Sequence, residues 1–236
     1  MADDPREQEL AANLADVRRR LADACAHARR DPAEVTLVAV TKTWPAQDVV
    51  RLARLGVTDV GENRDQEAAP KAEAVQETGT RVRWHFVGQL QRNKARSVAG
   101  YADLVHSVDS VRLAEALGRA ALDRRDTPLD VLIQVSVDGD PDRGGVVPAE
   151  LDALAAAVAG DAGLVLKGVM TVAPLEWEPA RAFAVLAELA GRVRSDHPGA
   201  TFISAGMSGD VEEAIDYGAT HVRVGSALLG NRPSLM

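Results

Sequence analysis

The chain has 236 residues, of which 46% are hydrophobic, so it can bury one large core or two smaller ones. Its 27 basic residues are outnumbered by 35 acidic ones, and only 3% of its residues are aromatic, which argues against a basic or base-stacking surface for nucleic acid. The single cysteine, Cys25, has no disulfide partner within the chain, and the sequence contains neither a signal-peptide core nor an apolar run of membrane length. We therefore expect a cytoplasmic protein that binds neither nucleic acid nor membranes.

The first predicted elements are a helix and a buried strand. Apolar residues recur at three- and four-residue spacing within residues 5–30, which is typical of an amphipathic helix. Residues 35–41 are mostly apolar or β-branched and predict a strand, and Pro45 prevents its simple continuation. Lys42 therefore lies where this strand leaves the core. A lysine that loses hydration there can attack an aldehyde, whereas the ordinary alternative is a lysine whose long stem reaches solvent.

The rest of the chain alternates between strands and helices. Further strands are predicted at residues 57–63, 83–88, 104–109, 130–137, 165–173, 200–207 and 220–227. Helices are predicted at residues 46–55, 64–78, from about 90, 111–125, 148–158, 178–194 and 210–217. This order predicts an α/β fold, a single (β/α)8 TIM barrel with an additional N-terminal helix, and an open doubly wound sheet is the alternative. We expect one domain over residues 1–236, with the helix in 1–30 and the barrel in 35–230.

Active residues of such barrels gather at the carboxyl ends of the strands. We therefore expect one mouth to collect Lys42, Asn63, His85, Met170, Ser204 and Arg223.

Two glycine- and serine-containing loops follow the last two predicted strands, at residues 204–210 and 223–226. Barrel phosphate sites commonly use these positions, because glycines open the backbone and serine hydroxyls donate to anionic oxygens. Ordinary turns and helix caps are the alternative, with Asp210 or Ser208 as the cap of the next helix. The two loops together favour phosphate binding.

Arg223 lies in a strand that is otherwise apolar. A buried guanidinium needs a partner because it cannot lose its proton. A carboxylate would be the structural explanation, and a bound anion or a heteroaromatic nitrogen would be the functional one.

Three histidines, at positions 85, 106 and 221, stand on separate predicted strands. None has a second histidine or a cysteine at metal-ligand spacing, so we expect no metal site.

Several motifs occur in the order and spacing of a known family. They are Lys42 after its strand and residues 61–63, 84–94, 168–173, 204–210 and 223–230. From about residue 38 to residue 230 the chain resembles the pyridoxal phosphate homeostasis proteins. The resemblance implies an alanine-racemase-like barrel of the fold-type III class that binds pyridoxal 5′-phosphate (PLP).

The resemblance also implies roles for single residues. Lys42 is similar to the lysine that holds PLP as a Schiff base, and Arg223 to the arginine that approaches the pyridine nitrogen. A permanently charged partner disfavours protonation of that nitrogen and weakens the ring as an electron sink. The positions that resemble the family's phosphate site are Ser208, Gly225 and Ser226, with Ser204 and Met207 nearby, and those that resemble its pocket wall are Asn63 and His85.

The chain departs from the family pattern at two positions. Ala205 replaces a larger residue and should loosen the pocket slightly. Arg143 replaces a lysine, which keeps the charge but changes the hydrogen-bond geometry.

The resemblance implies a monomeric PLP-binding protein of intracellular PLP homeostasis, with no dedicated catalytic residue and with PLP-dependent apoenzymes as recipients of the cofactor. The alternative is a PLP-dependent amino-acid racemase or decarboxylase on the same barrel, which would need a second base besides Lys42. An aldolase-like barrel, in which Lys42 attacks a sugar phosphate directly, is a third possibility.

Overall fold

Eight parallel strands form a closed barrel in the computed structural model, which describes residues 4–230. Each strand pairs with its neighbours in chain order, and β8 pairs with β1 to close the barrel. The strands are β1 Thr36–Val40, β2 Asp59–Glu62, β3 Arg83–Phe86, β4 Leu104–Val108, β5 Leu129–Gln134, β6 Leu164–Met170, β7 Phe202–Ser204 and β8 His221–Val224. The predicted (β/α)8 fold is confirmed.

Helices surround the barrel and connect its strands. They are α1 Pro5–His27, α2 Ala46–Arg54, α3 Asp65–Glu77, α4 Ala95–Tyr101, α5 Val111–Arg124, α6 Leu151–Ala159, α7 Pro179–Asp196, α8 Val211–Asp216 and α9 Ser226–Leu229. Short 3-10 turns lie at Pro32–Glu34 and Arg92–Lys94. Within residues 4–230, no helix combines the length and the apolar composition that crossing a membrane requires.

The additional N-terminal helix, α1, packs against α2, α8 and α9. Asp4 caps it, because the Asp4 carboxylate accepts hydrogen bonds from the backbone N–H groups of Arg6 and Glu7. Its apolar stripe is buried against the barrel's helices and consists of Leu10, Leu14, Val17 and Leu21.

Several strands end earlier than the sequence predicts. Strand β7 stops at Ser204 because Gly206 adopts a left-handed conformation, with φ of 86°. The prediction that the last strand runs to residue 227 is wrong, since Gly225 leaves the extended region and Ser226 begins α9. These early ends leave the residues that follow free to line the mouth of the barrel.

The barrel interior contains a cluster of the three strand histidines. The rings of His85 and His106 have centroids 5.1 Å apart, and the ring of His221 lies 6.1 Å and 6.2 Å from them. Burial is the main cause that lowers the pKa of His221 to about 3 and the pKa of His106 well below its ordinary value. Among residues 4–230, no three His, Cys, Asp or Glu side chains are placed to hold a metal ion.

Acid should destabilise the fold through these histidines. An unfolded histidine has a pKa of about 6.5, so the unfolded chain binds more protons than folded His221 between that value and about 3. The contribution of His221 to the free energy of unfolding is fully present above about pH 6.5 and is lost as the pH falls toward 3. Between pH 7 and pH 5 we expect urea unfolding to show a loss of roughly 2 kcal/mol from His221 alone.

The variant His221→Asn is the control for this prediction. It should lose that part of the pH dependence, whatever its absolute stability. Equal slopes of unfolding free energy against pH in the two proteins would show that His221 is not the titrating group.

Candidate functional site

A cavity of about 610 Å³ opens at the carboxyl ends of the strands. Its wall includes parts of β1, β8 and the loops after β2, β3, β6 and β7. Seven of the ten predicted site residues line it, namely Lys42, Asn63, Met207, Ser208, Arg223, Gly225 and Ser226. Of the six residues expected at the mouth from the barrel geometry, Lys42, Asn63 and Arg223 line this cavity.

The other three predicted residues lie deeper in the barrel and do not line this cavity. His85, Met170 and Ser204 are at most 1% exposed. Met170 packs in a small apolar cluster with Leu104 and Leu132, so it serves the core. The expectation that His85 forms the pocket wall does not match its position, because its strand points the ring inward below the mouth.

Lys42 stands on a tight turn just beyond β1. The Trp44 N–H donates to the Thr41 carbonyl at 3.1 Å, and Thr43 between them has a φ of 70°. That left-handed conformation is strained for a β-branched residue, and such strain persists only where the surroundings enforce it. The turn keeps the half-buried Lys42 side chain on the cavity wall.

A buried ion pair supports this turn from below. The Lys71 ammonium is 2.5 Å from a Glu62 carboxylate oxygen and donates to the Thr41 carbonyl at 2.8 Å. The Thr41 hydroxyl donates to the same Glu62 oxygen at 2.7 Å. Burial is the main influence on Glu62 and raises its pKa, although Lys71 and Thr41 oppose this effect. The residue before Lys42 is thus held through both its carbonyl and its hydroxyl.

This buried group was not among the residues predicted from the sequence. Glu62 was visible as the acidic residue of the motif at 61–63, near the end of the predicted strand at 57–63. Lys71 gave no such signal, because one lysine in a helix usually faces solvent.

Arg223 forms part of the cavity wall and is only 5% exposed. Its guanidinium donates to the Ser204 hydroxyl at 2.6 Å and to the Thr171 carbonyl at 2.8 Å. Within residues 4–230 its hydrogen-bond partners are neutral, and the carboxylate whose charge acts on it is Asp210. Burial lowers the pKa of Arg223 to about 10, which leaves it cationic at neutral pH.

The two glycine–serine loops meet across the cavity, where the hydroxyls of Ser208 and Ser226 are 3.5 Å apart. Arg20 of α1 holds the first loop by donating to the Ser208 carbonyl at 2.5 Å, and it also pairs with Glu212 of α8. Nothing in the sequence indicated this contact, because Arg20 belongs to the run of arginines at 18–20 within the predicted amphipathic helix. Its role depends on a contact between elements 188 positions apart, which no local pattern reveals.

Asp210 occupies the N-cap position of α8 but makes no side-chain bond to the helix. Its carboxylate instead accepts from the Met207 N–H at 2.5 Å and closes the loop on itself. Asp210 therefore shapes the loop that carries Met207 and Ser208.

The two departures from the family pattern have different consequences. Ala205 is 1% exposed and does not line the cavity. Arg143 donates to Asp138 at 2.6 Å and to the carbonyl of Val172, a wall residue, at 2.8 Å. Its planar fork therefore ties the loop after β5 to the cavity wall.

Known proteins share both the sequence and the fold of this chain. The family described as alanine racemase, N-terminal domain, matches residues 8–233. The pyridoxal phosphate homeostasis protein of Mycobacterium leprae is 46% identical over 240 residues, covering 95% of this chain and 93% of that protein. The protein of the same name from Mycobacterium tuberculosis is 48% identical over 243 residues, covering 96% of this chain and 94% of the relative.

Two solved structures have a fold similar to that of this chain. PipY of Synechococcus elongatus, solved with PLP bound, has a TM-score of 0.81 and 33% identity, covering 94% of this chain and 100% of PipY. An alanine racemase from Corynebacterium glutamicum has a TM-score of 0.70 and 16% identity, covering 97% of this chain and 62% of the racemase. The similarity to the racemase shows only that the two proteins share a fold.

Removing the cation of the buried pair should destabilise the protein strongly. The variant Lys71→Met leaves the Glu62 carboxylate buried without its partner, and we expect a loss of about 3–5 kcal/mol in unfolding free energy by urea titration. The double variant Glu62→Leu with Lys71→Met removes both charges and should recover most of that loss. Equal losses in the single and double variants would contradict an unpaired charge as the cause.

Proposed function

The chain belongs to the pyridoxal phosphate homeostasis protein family, as its motifs predicted, and from that membership we propose that it binds PLP in the mouth cavity and serves intracellular PLP homeostasis. In the same proposal the protein is a cytoplasmic monomer that holds the cofactor and passes it to PLP-dependent apoenzymes. The bound PLP of the relative PipY supports this ligand.

One observation carries the proposal. The cavity wall combines an amine at Lys42, a guanidinium with only neutral partners at Arg223, and two facing hydroxyls at Ser208 and Ser226. PLP carries an aldehyde, a ring nitrogen and a phosphate, which are the groups that such a set would bind. The donor set therefore fits the cofactor.

Lys42 is the proposed covalent anchor, which would hold PLP as a Schiff base. All four lysines of the chain lie in the described part, and the other three are engaged elsewhere. Lys71 pairs with Glu62, Lys94 lies 3.8 Å from Asp65, and Lys167 lies over the Phe202 ring. The position of Lys42 on the cavity wall sets it apart from them.

The phosphate end is proposed to lie at the two glycine–serine loops. The hydroxyls of Ser208 and Ser226 can donate to phosphate oxygens. The bond from Arg20 to the Ser208 carbonyl would keep the first loop in position for this contact. Asn63, which also lines the cavity, would complete the wall beside the ring.

The ionisable groups of the cavity wall favour a protein that holds PLP over an enzyme that uses PLP in catalysis. In the described part of the chain, the ionisable side chains on this wall are Lys42 and Arg223. Bound PLP supplies an electron sink, and a two-base racemase needs a second group that accepts a proton near neutral pH. A guanidinium does not accept a proton near neutral pH. Neither Tyr101 nor Tyr217 lines this wall.

Borohydride reduction of the PLP-loaded protein tests the anchor. We expect peptide mass mapping to find the pyridoxyl group on Lys42, with the label lost in Lys42→Ala. Because the chain has only four lysines, each can be assigned separately. The variant Lys167→Ala is the matched control and should keep the label.

A fully loaded protein that is unmodified at Lys42 would contradict the anchor. Amino-acid racemisation at ordinary enzymatic rates, lost in Lys42→Ala, would contradict the holding function and favour the enzyme alternative.

A further inference from the structure

A continuous chain of hydrogen bonds runs through the barrel interior and ends on Arg223. His85 Nε2 is 2.9 Å from the Asp59 carboxylate, and His85 Nδ1 is 2.9 Å from His106 Nε2. His106 Nδ1 is 2.9 Å from the Ser204 hydroxyl, which accepts from Arg223 at 2.6 Å. We call these five residues, Asp59, His85, His106, Ser204 and Arg223, the core chain.

All hydrogen bonds of the core chain are donated in the same direction, from Arg223 toward Asp59. Arg223 has donors only, so Ser204 accepts from it, and the hydroxyl proton of Ser204 then needs another acceptor. His106 Nδ1 is that acceptor, which places the His106 proton on Nε2. His106 in turn donates to His85 Nδ1, so His85 carries its proton on Nε2 and donates to Asp59. In this order each of the two histidines has its proton on Nε2, and the chain leads from the guanidinium to the carboxylate.

The two ends of the core chain lie at opposite ends of the barrel. Asp59 is the first residue of β2 and lines a separate cavity of about 420 Å³ at the amino-terminal ends of β1 and β2. Arg223 lines the mouth cavity. The Thr58 hydroxyl donates to Asp59 at 2.6 Å, and the Arg83 guanidinium lies 3.7 Å from the same carboxylate.

The charge state of the carboxylate end follows from its contacts. Burial favours the neutral form of Asp59, but hydrogen bonds from His85 and Thr58 outweigh it, so the pKa of Asp59 is lowered. Asp59 is thus an anion at neutral pH. The third histidine, His221, packs beside the core chain but bonds to Thr220 instead.

The core chain cannot deliver protons to the mouth cavity. Ser204 is fully buried, and the guanidinium beyond it does not release a proton to a neutral acceptor near pH 7. A one-directional chain that ends on a permanent cation acts by orientation and by charge. Such a chain would fix the plane of the guanidinium, and the charge of Asp59 at its far end would add to that of Asp210, which opposes the effect of burial on Arg223.

We propose that the core chain is a positioning device that holds the Arg223 guanidinium in one orientation at the cavity wall and couples it to the charge of Asp59. Ser204, His106, His85 and Asp59 are positioning residues in this inference. Its consequence for PLP rests on the proposed function. The hydrogen-bond order itself is a property of the protein without ligand.

Nitrogen-15 NMR of histidine-labelled, PLP-free protein tests the order directly. At pH 7 we expect His85 and His106 to be neutral, with the proton of each on Nε2. A His85 imidazolium, or a His106 proton on Nδ1, would reverse the bonds between the histidines and Ser204 and overturn the inference. The spectrum of Asp59→Asn, a nearly isosteric change at the far end, helps to assign the His85 signals.

PLP titration of variants tests the coupling. Ser204→Ala removes one of the two bonds to Arg223, and we expect the PLP dissociation constant to rise about tenfold. Asp59→Asn, at the opposite end of the barrel, should raise it about threefold with a change in the absorbance of bound PLP. His221→Asn is the matched control, because it removes a neighbouring buried imidazole outside the core chain and should leave the constant unchanged.

The outcomes separate the two proposals. If Ser204→Ala and Asp59→Asn bind PLP as tightly as the parent and are still labelled on Lys42, the coupling is wrong and the PLP site stands. If the parent takes no label on Lys42, the proposed function fails, and the NMR result alone decides the order of the core chain. Should Ser204→Ala not fold, as judged by circular dichroism, Asp59→Asn decides the coupling. An equal loss of PLP affinity in His221→Asn would show that a general packing effect is responsible. That result would overturn the coupling.

Discussion

A buried guanidinium with only neutral partners constrains the whole mouth of this barrel. Arg223 projects from the last strand, is 5% exposed, and donates to one hydroxyl and one carbonyl. Burying a cation there costs free energy, which the charge of Asp210 and the two hydrogen bonds oppose. Two features adjoin the guanidinium, the mouth cavity above it and a polar interior below it. The closed sheet makes both possible, because it brings β8 beside β7 and β1.

The site above Arg223 is built from separate supports that meet at one cavity. Glu62 and Lys71 hold the residue before Lys42, while Arg20 and Asp210 hold the loop that carries Ser208. The bonds from Lys71 to Thr41 and from Arg20 to Ser208 join residues 30 and 188 positions apart, so the positions of the amine and the hydroxyls depend on the folded barrel. A permanent cation at the ring nitrogen would keep that nitrogen unprotonated and the ring a weak electron sink. Holding a reactive aldehyde without driving carbanion chemistry is the function that such a site suits.

Much of the fold and part of the site could be predicted from the sequence. The β-branched run before Lys42 and the regular alternation of strands and helices were sufficient for the barrel, and the glycine–serine loops were sufficient for one end of the cavity. The inward placement of His85, Met170 and Ser204 was not predictable, because it depends on strand register and on where each strand ends. The same holds for the histidine cluster, whose members are isolated along the chain but adjacent in the closed barrel. Gly225 could have ended β8 in the prediction, since glycine weakens a strand.

The central claim is that a cation at Arg223 meets the ring nitrogen of PLP held in this cavity. The most direct measurement is the nitrogen-15 chemical shift of the pyridine nitrogen in protein loaded with ring-labelled PLP, followed from pH 6 to pH 9. We expect the shift of an unprotonated pyridine nitrogen throughout, and a shift toward that of the protonated form when Arg223 is replaced by glutamate. A pyridinium shift in the parent protein at neutral pH would contradict it.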